Sequence, residues 1–193
     1  MLISLSEIID ILVMTFAVGF IFMDVLKQFR PLRIKYSYGF DWSALKLACF
    51  VTAPALILHE LFHKFVAIAF GLSAVFHASY GWLFFGVVLK LLNSPFLFFV
   101  PAYVSIGCDS LNCVIQPLNS ALVAFAGPFA NLSLFLLAKF VLEHKRLSFK
   151  TKIVVHVSKQ INLFLFIFNM LPFPPFDGFK VYEGLFYFVK SVM

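Results

Sequence analysis

The sequence predicts an all-α, multi-pass membrane fold of about four to six transmembrane helices with a small membrane-associated β element. Three observations point there. Of 193 residues, 62% are hydrophobic and only 12% are charged, too little charge to cover a soluble domain of this length. The mean hydropathy is +0.99. Apolar runs long enough to cross a hydrocarbon core of about 30 Å recur along the chain. One membrane-embedded domain over 1–193 is expected, with an anchor helix and basic loop in 1–44, a core in 45–180 and the end of a last helix in 181–193.

The first spanning segment is expected over 8–26, about 28 Å at the helical rise, with Asp10 and Asp24 near its ends. Its amino-terminal side lacks a basic region, and Glu7 and Asp10 precede or enter the apolar run. The segment therefore reads as a retained anchor and not as a cleaved signal. A loop with Lys27, Arg30, Arg33 and Lys35 follows, and residues 33–38 alternate as a short strand would. The second helix is expected over 45–70, with Gly71 as its stop.

Residues 72–117 mix aromatic and β-branched residues with the breakers Gly81, Gly86, Pro95, Pro101 and Gly107. The apolar run 83–92 is too short to cross, so a re-entrant hairpin or small membrane-dipping sheet is expected. Such backbone is tolerated only where protein buries it or where it lines a cavity. A third helix over 118–142 carries Gly127, Pro128 and Asn131 in mid-span. A loop with Lys145, Arg146, Lys150 and Lys152 leads to a fourth helix over 153–170. Pro172, Pro174 and Pro175 then forbid regular helix, and a last helix over 176–192 starts beside Asp177.

The net charge is +6. It is clustered in loops, where it reports membrane orientation; no basic soluble face exists for nucleic acid, and no such partner is expected. Of three cysteines, Cys49 lies in an apolar run. Cys108 and Cys113 bracket a polar loop, in which a disulfide and free thiols are both open readings.

The chemistry is carried by His59-Glu60-Leu61-Phe62-His63. Residues four apart share a helix face, so both imidazoles reach one metal, while Glu60 on the adjacent face is free to take a proton from the attacking water. Zinc suits this arrangement because it is tetrahedral and keeps an open position. His59 falls about 21 Å from the start of its helix, inside the hydrocarbon region. Ionisable groups there are functional by default. The competing reading is a polar cluster that packs against another helix.

A catalytic zinc needs a third protein ligand. The candidates are His77, Asp109, His144, His156 and Asp177. His144 sits among loop charges, His156 reads as interfacial, and Asp109 is ordinary in a polar turn. His77, in the membrane-dipping segment, is the main rival. Asp177 follows three prolines and precedes Gly178 within an apolar stretch. An N-cap role would explain the aspartate but not proline-rich backbone at membrane depth, so Asp177 is favoured.

Three elements in order resemble the site-2 protease family of intramembrane metalloproteases: His59-Glu60-Leu61-Phe62-His63, Ala126-Gly127-Pro128-Phe129-Ala130-Asn131, and Asn169-Met170-Leu171-Pro172-Phe173-Pro174-Pro175-Phe176-Asp177-Gly178. The resemblance covers roughly residues 45–180. It implies one zinc ion per chain held by His59, His63 and Asp177, with Glu60 as general base. It further implies that Asn131 and Asn169 orient substrate or the polarised carbonyl, with Gly127, Pro128 and Gly178 as part of the same site. The substrate would be a transmembrane segment of another protein, reached from within the bilayer. Glu60, Asn131, Asn169 and Asp177 are expected to line a water-accessible cavity.

Two positions depart from the family pattern. Phe62 and Phe179 stand where small residues are usual, and both add bulk near the site. The alternatives are an inactive relative that only binds membrane segments, which the intact Glu60 opposes, and a metal transporter, which would space its ligands along a path. The basic loops and the resemblance favour opposite membrane orientations, and an added crossing between 81 and 106 would reconcile them.

Overall fold

The computed structural model describes residues 3–27, 40–94, 101–108 and 115–193. The strand expected over 33–38, together with Arg30, Asp109 and Cys113, lies outside the described residues. The elements run α1 (Leu5–Lys27), α2 (Trp42–Ala69), β1 (Ser73–Ala78), α3 (Tyr80–Leu91), β2 (Ala102–Gly107), α4 (Pro117–His144), α5 (Phe149–Asn169) and α6 (Asp177–Val192). Four of these helices, α1, α2, α4 and α5, are long and apolar enough to cross a membrane. The mostly helical, membrane-like fold with a small sheet is the one expected.

Local chemistry sets the boundaries. Asp41 caps α2 by accepting from the Ala44 N–H at 3.0 Å. The helix ends where Gly71 takes φ +75°, letting the Leu72 N–H return to the Ala67 carbonyl at 3.0 Å. Pro117 opens α4 at a position where no N–H is needed. Ser148 caps α5 through the Thr151 N–H. Pro54 and Pro128 sit inside α2 and α4, as bundled membrane helices permit. The basic loop 145–148 is shorter than expected, because α4 and α5 each extend toward it.

Helix association in lipid rests on close packing and not on release of water. Small residues accordingly fill the interfaces. Ala44 and Ala48 pack with Met23, Val51 and Val157. Gly184 brings α6 onto α4, where a methyl group would stand 2.6 Å from the Pro117 carbonyl oxygen and 2.9 Å from Ala121. Large apolar side chains such as Phe16, Phe50 and Leu137 are exposed on the outside, the surface that lipid covers.

β1 and β2 pair antiparallel, from Ser73↔Gly107 to Ala78↔Ala102. Phe76 and Ala102 anchor the sheet on Met14, Val18, Leu56 and Leu83. The segment between the strands leaves at Ala78 and returns at Ala102, and the Ser79 N–H donates to the Pro101 carbonyl at 3.0 Å. Within this excursion α3 lies along α1. Tyr80 donates its hydroxyl proton to Asp10, and Lys90 donates to the Phe20 carbonyl and pairs with Asp24 at 3.3 Å. α3 is about 18 Å long, and both ends of the excursion meet at the sheet. At that length α3 is shorter than a membrane span, as expected.

Candidate active site

His59 and His63 lie one turn apart on α2 with their rings edge to face, centroids 4.8 Å apart. Each ring is oriented from behind. The Val123 carbonyl of α4 is 2.7 Å from His63 Nδ1, and a carbonyl only accepts, so Nδ1 carries the proton. The Asn131 side-chain oxygen is 2.6 Å from His59 Nδ1 and accepts there in the same way. In both neutral rings the bare nitrogen is therefore Nε2.

Asp177 reaches these nitrogens from the first turn of α6. Its Oδ2 is 3.0 Å from His59 Nε2 and 3.2 Å from His63 Nε2, and the two Nε2 atoms are 3.2 Å apart. When both rings are neutral, three lone-pair atoms face one point, an arrangement stabilised by a cation, whether a proton or a metal ion, among them. Ligand atoms on a tetrahedral zinc, at about 2.0–2.1 Å from the metal, stand roughly 3.3 Å from one another. The spacing fits, and among the described residues these three form the group able to hold a metal ion.

The backbone around the centre is built to bring it together. A methyl group at Gly127 would collide with His63 Nε2 and approach His59 Nε2 at 2.7 Å, so only glycine lets α4 pass. Pro128 beside it is fully buried. At Gly178 a methyl group would stand 2.5 Å from the Met170 carbonyl carbon, which presses the start of α6 onto the end of α5. The Tyr182 hydroxyl donates to the Met170 carbonyl at 3.1 Å, and Phe176 is buried against Phe168 and Phe173. The proline run, with a cis bond between Pro174 and Pro175, turns the chain so that Asp177 points back at α2.

Glu60 is buried and lines a cavity of about 610 Å³ together with His59, His63, Asn169 and Asp177. Residues 101–106 of the β2 segment form another part of its wall. Asn169 also donates to the Leu165 carbonyl at 3.0 Å.

Asn131 departs from its expected place on that wall. It is fully buried behind His59, and its amide nitrogen donates to the Ala55 carbonyl and to Asn162 Oδ1, each at 3.0 Å. Phe62 and Phe179 are not among the described residues that line the cavity.

The rival histidines lie elsewhere. His77 is on β1 with Ser105 at 3.0 Å, His144 is bonded to the Phe140 carbonyl, and His156 is exposed on α5. Two buried polar residues were not anticipated as parts of this region. Asn162 stands two turns before Asn169 on an otherwise apolar stretch, which is itself a signal of an interior-facing amide. Lys64, next to His63, pairs with Glu7.

The chain is 34% identical over 183 residues to the protein named "Putative zinc metalloprotease MJ0611" of Methanocaldococcus jannaschii, covering 92% of this chain and 84% of that one. It belongs to the same family. A second relative, named "Putative zinc metalloprotease YwhC", of Bacillus subtilis, is 40% identical over 77 residues, 35% of each chain. No protein-family model matches, and no solved structure matches.

Proposed function

We propose that the protein is an intramembrane zinc metalloprotease of site-2 type, which hydrolyses peptide bonds within or near transmembrane segments of other membrane proteins. The observation that carries this reading is the convergence of His59 Nε2, His63 Nε2 and Asp177 Oδ2 between apolar helices, with Glu60 on the wall of the same cavity. The names of both relatives support zinc and proteolysis.

His59, His63 and Asp177 would hold one ion per chain. When bound, zinc polarises the scissile carbonyl and lowers the pKa of a water toward neutrality. Glu60 takes the proton of the attacking water and passes it to the leaving amine. Asn169, on the wall of the same cavity, would orient the substrate backbone.

A transmembrane substrate must unwind before it is cut, and each polar backbone group left unsatisfied in lipid costs several kcal/mol. Strand addition offsets this cost. β1 occupies one edge of β2, and the β2 segment borders the cavity, which supports pairing of an extended substrate with β2.

The test is the position of the cut. The protein in lipid vesicles, given a synthetic transmembrane helix, should yield new termini inside or beside the apolar segment by mass spectrometry. Products only from soluble, unstructured peptides would reject the intramembrane reading.

A further inference from the structure

The strongest unassigned feature is a polar chain that starts at His59 and runs away from the cavity. His59 Nδ1 donates to Asn131 Oδ1 at 2.6 Å. Asn131 Nδ2 donates one hydrogen to the Ala55 carbonyl and the other to Asn162 Oδ1, each at 3.0 Å. Asn162 Nδ2 donates to the Ser158 carbonyl at 2.9 Å, with Ser158 Oγ at 3.4 Å. Asn131 is 0% exposed and Asn162 is 1% exposed, so bulk water does not exchange for these bonds.

The chain has one consistent polarity. The Ser158 carbonyl accepts only, which sets the Asn162 amide with its oxygen toward Asn131. That oxygen and the Ala55 carbonyl are both acceptors, so they hold Asn131 with its nitrogen toward them and its oxygen toward His59. A flipped Asn131 would set its oxygen against two acceptors. His63 needs no such chain, because the Val123 carbonyl orients it directly.

We propose that Asn162 is a positioning residue that fixes the Asn131 amide and, through it, the Nδ1–H tautomer of His59, leaving Nε2 bare for a metal. This rests on the metal-centre reading above and extends it to α5, a helix that supplies no ligand. Partners of metal-bound histidines change metal affinity by about 10–100-fold when removed. Asn162 acts one step further out, with Ala55 still holding half of the amide, so an effect of about tenfold is expected.

The experiment uses the full chain, purified with ¹⁵N-labelled histidine, with and without zinc. Ring-nitrogen shifts without zinc report the tautomer of each histidine, and competition with a chromophoric chelator reports zinc affinity. In the wild type both His59 and His63 should be Nδ1–H. In Asn162→Leu, His59 should become a tautomer mixture and zinc affinity should fall about tenfold, while His63 is unchanged. Asn162→Asp in its neutral acid form keeps an oxygen facing Asn131 and an O–H facing the Ser158 carbonyl, and should retain the wild-type tautomer and an affinity within about twofold. If the leucine variant does not fold, Asn162→Ala takes its place.

An unchanged His59 in Asn162→Leu, equal changes in both histidines, or an aspartate variant that behaves like the leucine one would each overturn the proposal. A wild type that binds no zinc would reject the metal reading instead, and the tautomer comparison would still decide the role of Asn162.

Discussion

A methyl group at position 127 has no free space, because the two imidazoles stand where it would go. Gly127→Ala should therefore displace His59 or His63 and remove zinc, with metal analysis of the purified protein showing well under one ion per chain. Retention of a full equivalent would mean that α4 has room to move aside. At this scale the sequence was informative where spacing alone decides geometry. His59 and His63 share a face because they are four apart, and the proline run predicted an irregular approach to Asp177. Asn131 was less legible. Its residue type marked it as polar in mid-membrane, but whether it faces the cavity or the back of His59 depends on the rotation of α4 against α2, which no local pattern encodes. Asn162 was missed for the same reason, since its partners come from α4.

Among the elements, α1 is tied to the catalytic helix and to the sheet at one point. Glu7 is buried and accepts from Lys64 of α2 and from the Phe76 N–H of β1, the latter at 2.8 Å. Breaking a buried ion pair leaves an uncompensated charge and costs about 3–5 kcal/mol. Lys64→Met alone should destabilise the protein by that amount in denaturant unfolding, and Glu7→Gln combined with Lys64→Met should recover most of it, because glutamine still accepts from Phe76. Equal stability of single and double variants would contradict this.

The sheet itself was only partly legible. Residues 72–117 contain strand-like and helix-like pieces, and the pairing of β1 with β2 spans α3, a non-local contact. A proline in β1, as in Val75→Pro, should disrupt the sheet and abolish cleavage of a transmembrane substrate while zinc content stays at the wild-type level. Unchanged turnover would reject the role given to β2.

At the scale of the molecule, apolar length set the range of spanning candidates, because about 20 residues are needed to cross, and among the described residues four helices meet that need. The helix bounds differ from those expected by a few residues, as end positions depend on caps and not on hydropathy. The assembly places His59, His63, Asp177 and the Glu60 carboxylate around one cavity, at the meeting of α2, α4 and α6. Neither apolar packing nor membrane anchoring requires that arrangement. A membrane metalloprotease does, and the two histidines come from one helix while the aspartate comes from another 118 residues away from His59.

The most direct test separates metal binding from chemistry at Glu60, which lines the cavity but is not one of the three proposed ligands. Purified wild type and Glu60→Gln should each carry about one zinc per chain, and only the wild type should cleave a membrane substrate, with loss of at least about a hundredfold in the variant. Cleavage at the wild-type rate by Glu60→Gln, or a wild type that cleaves equally well after zinc is removed, would contradict the account.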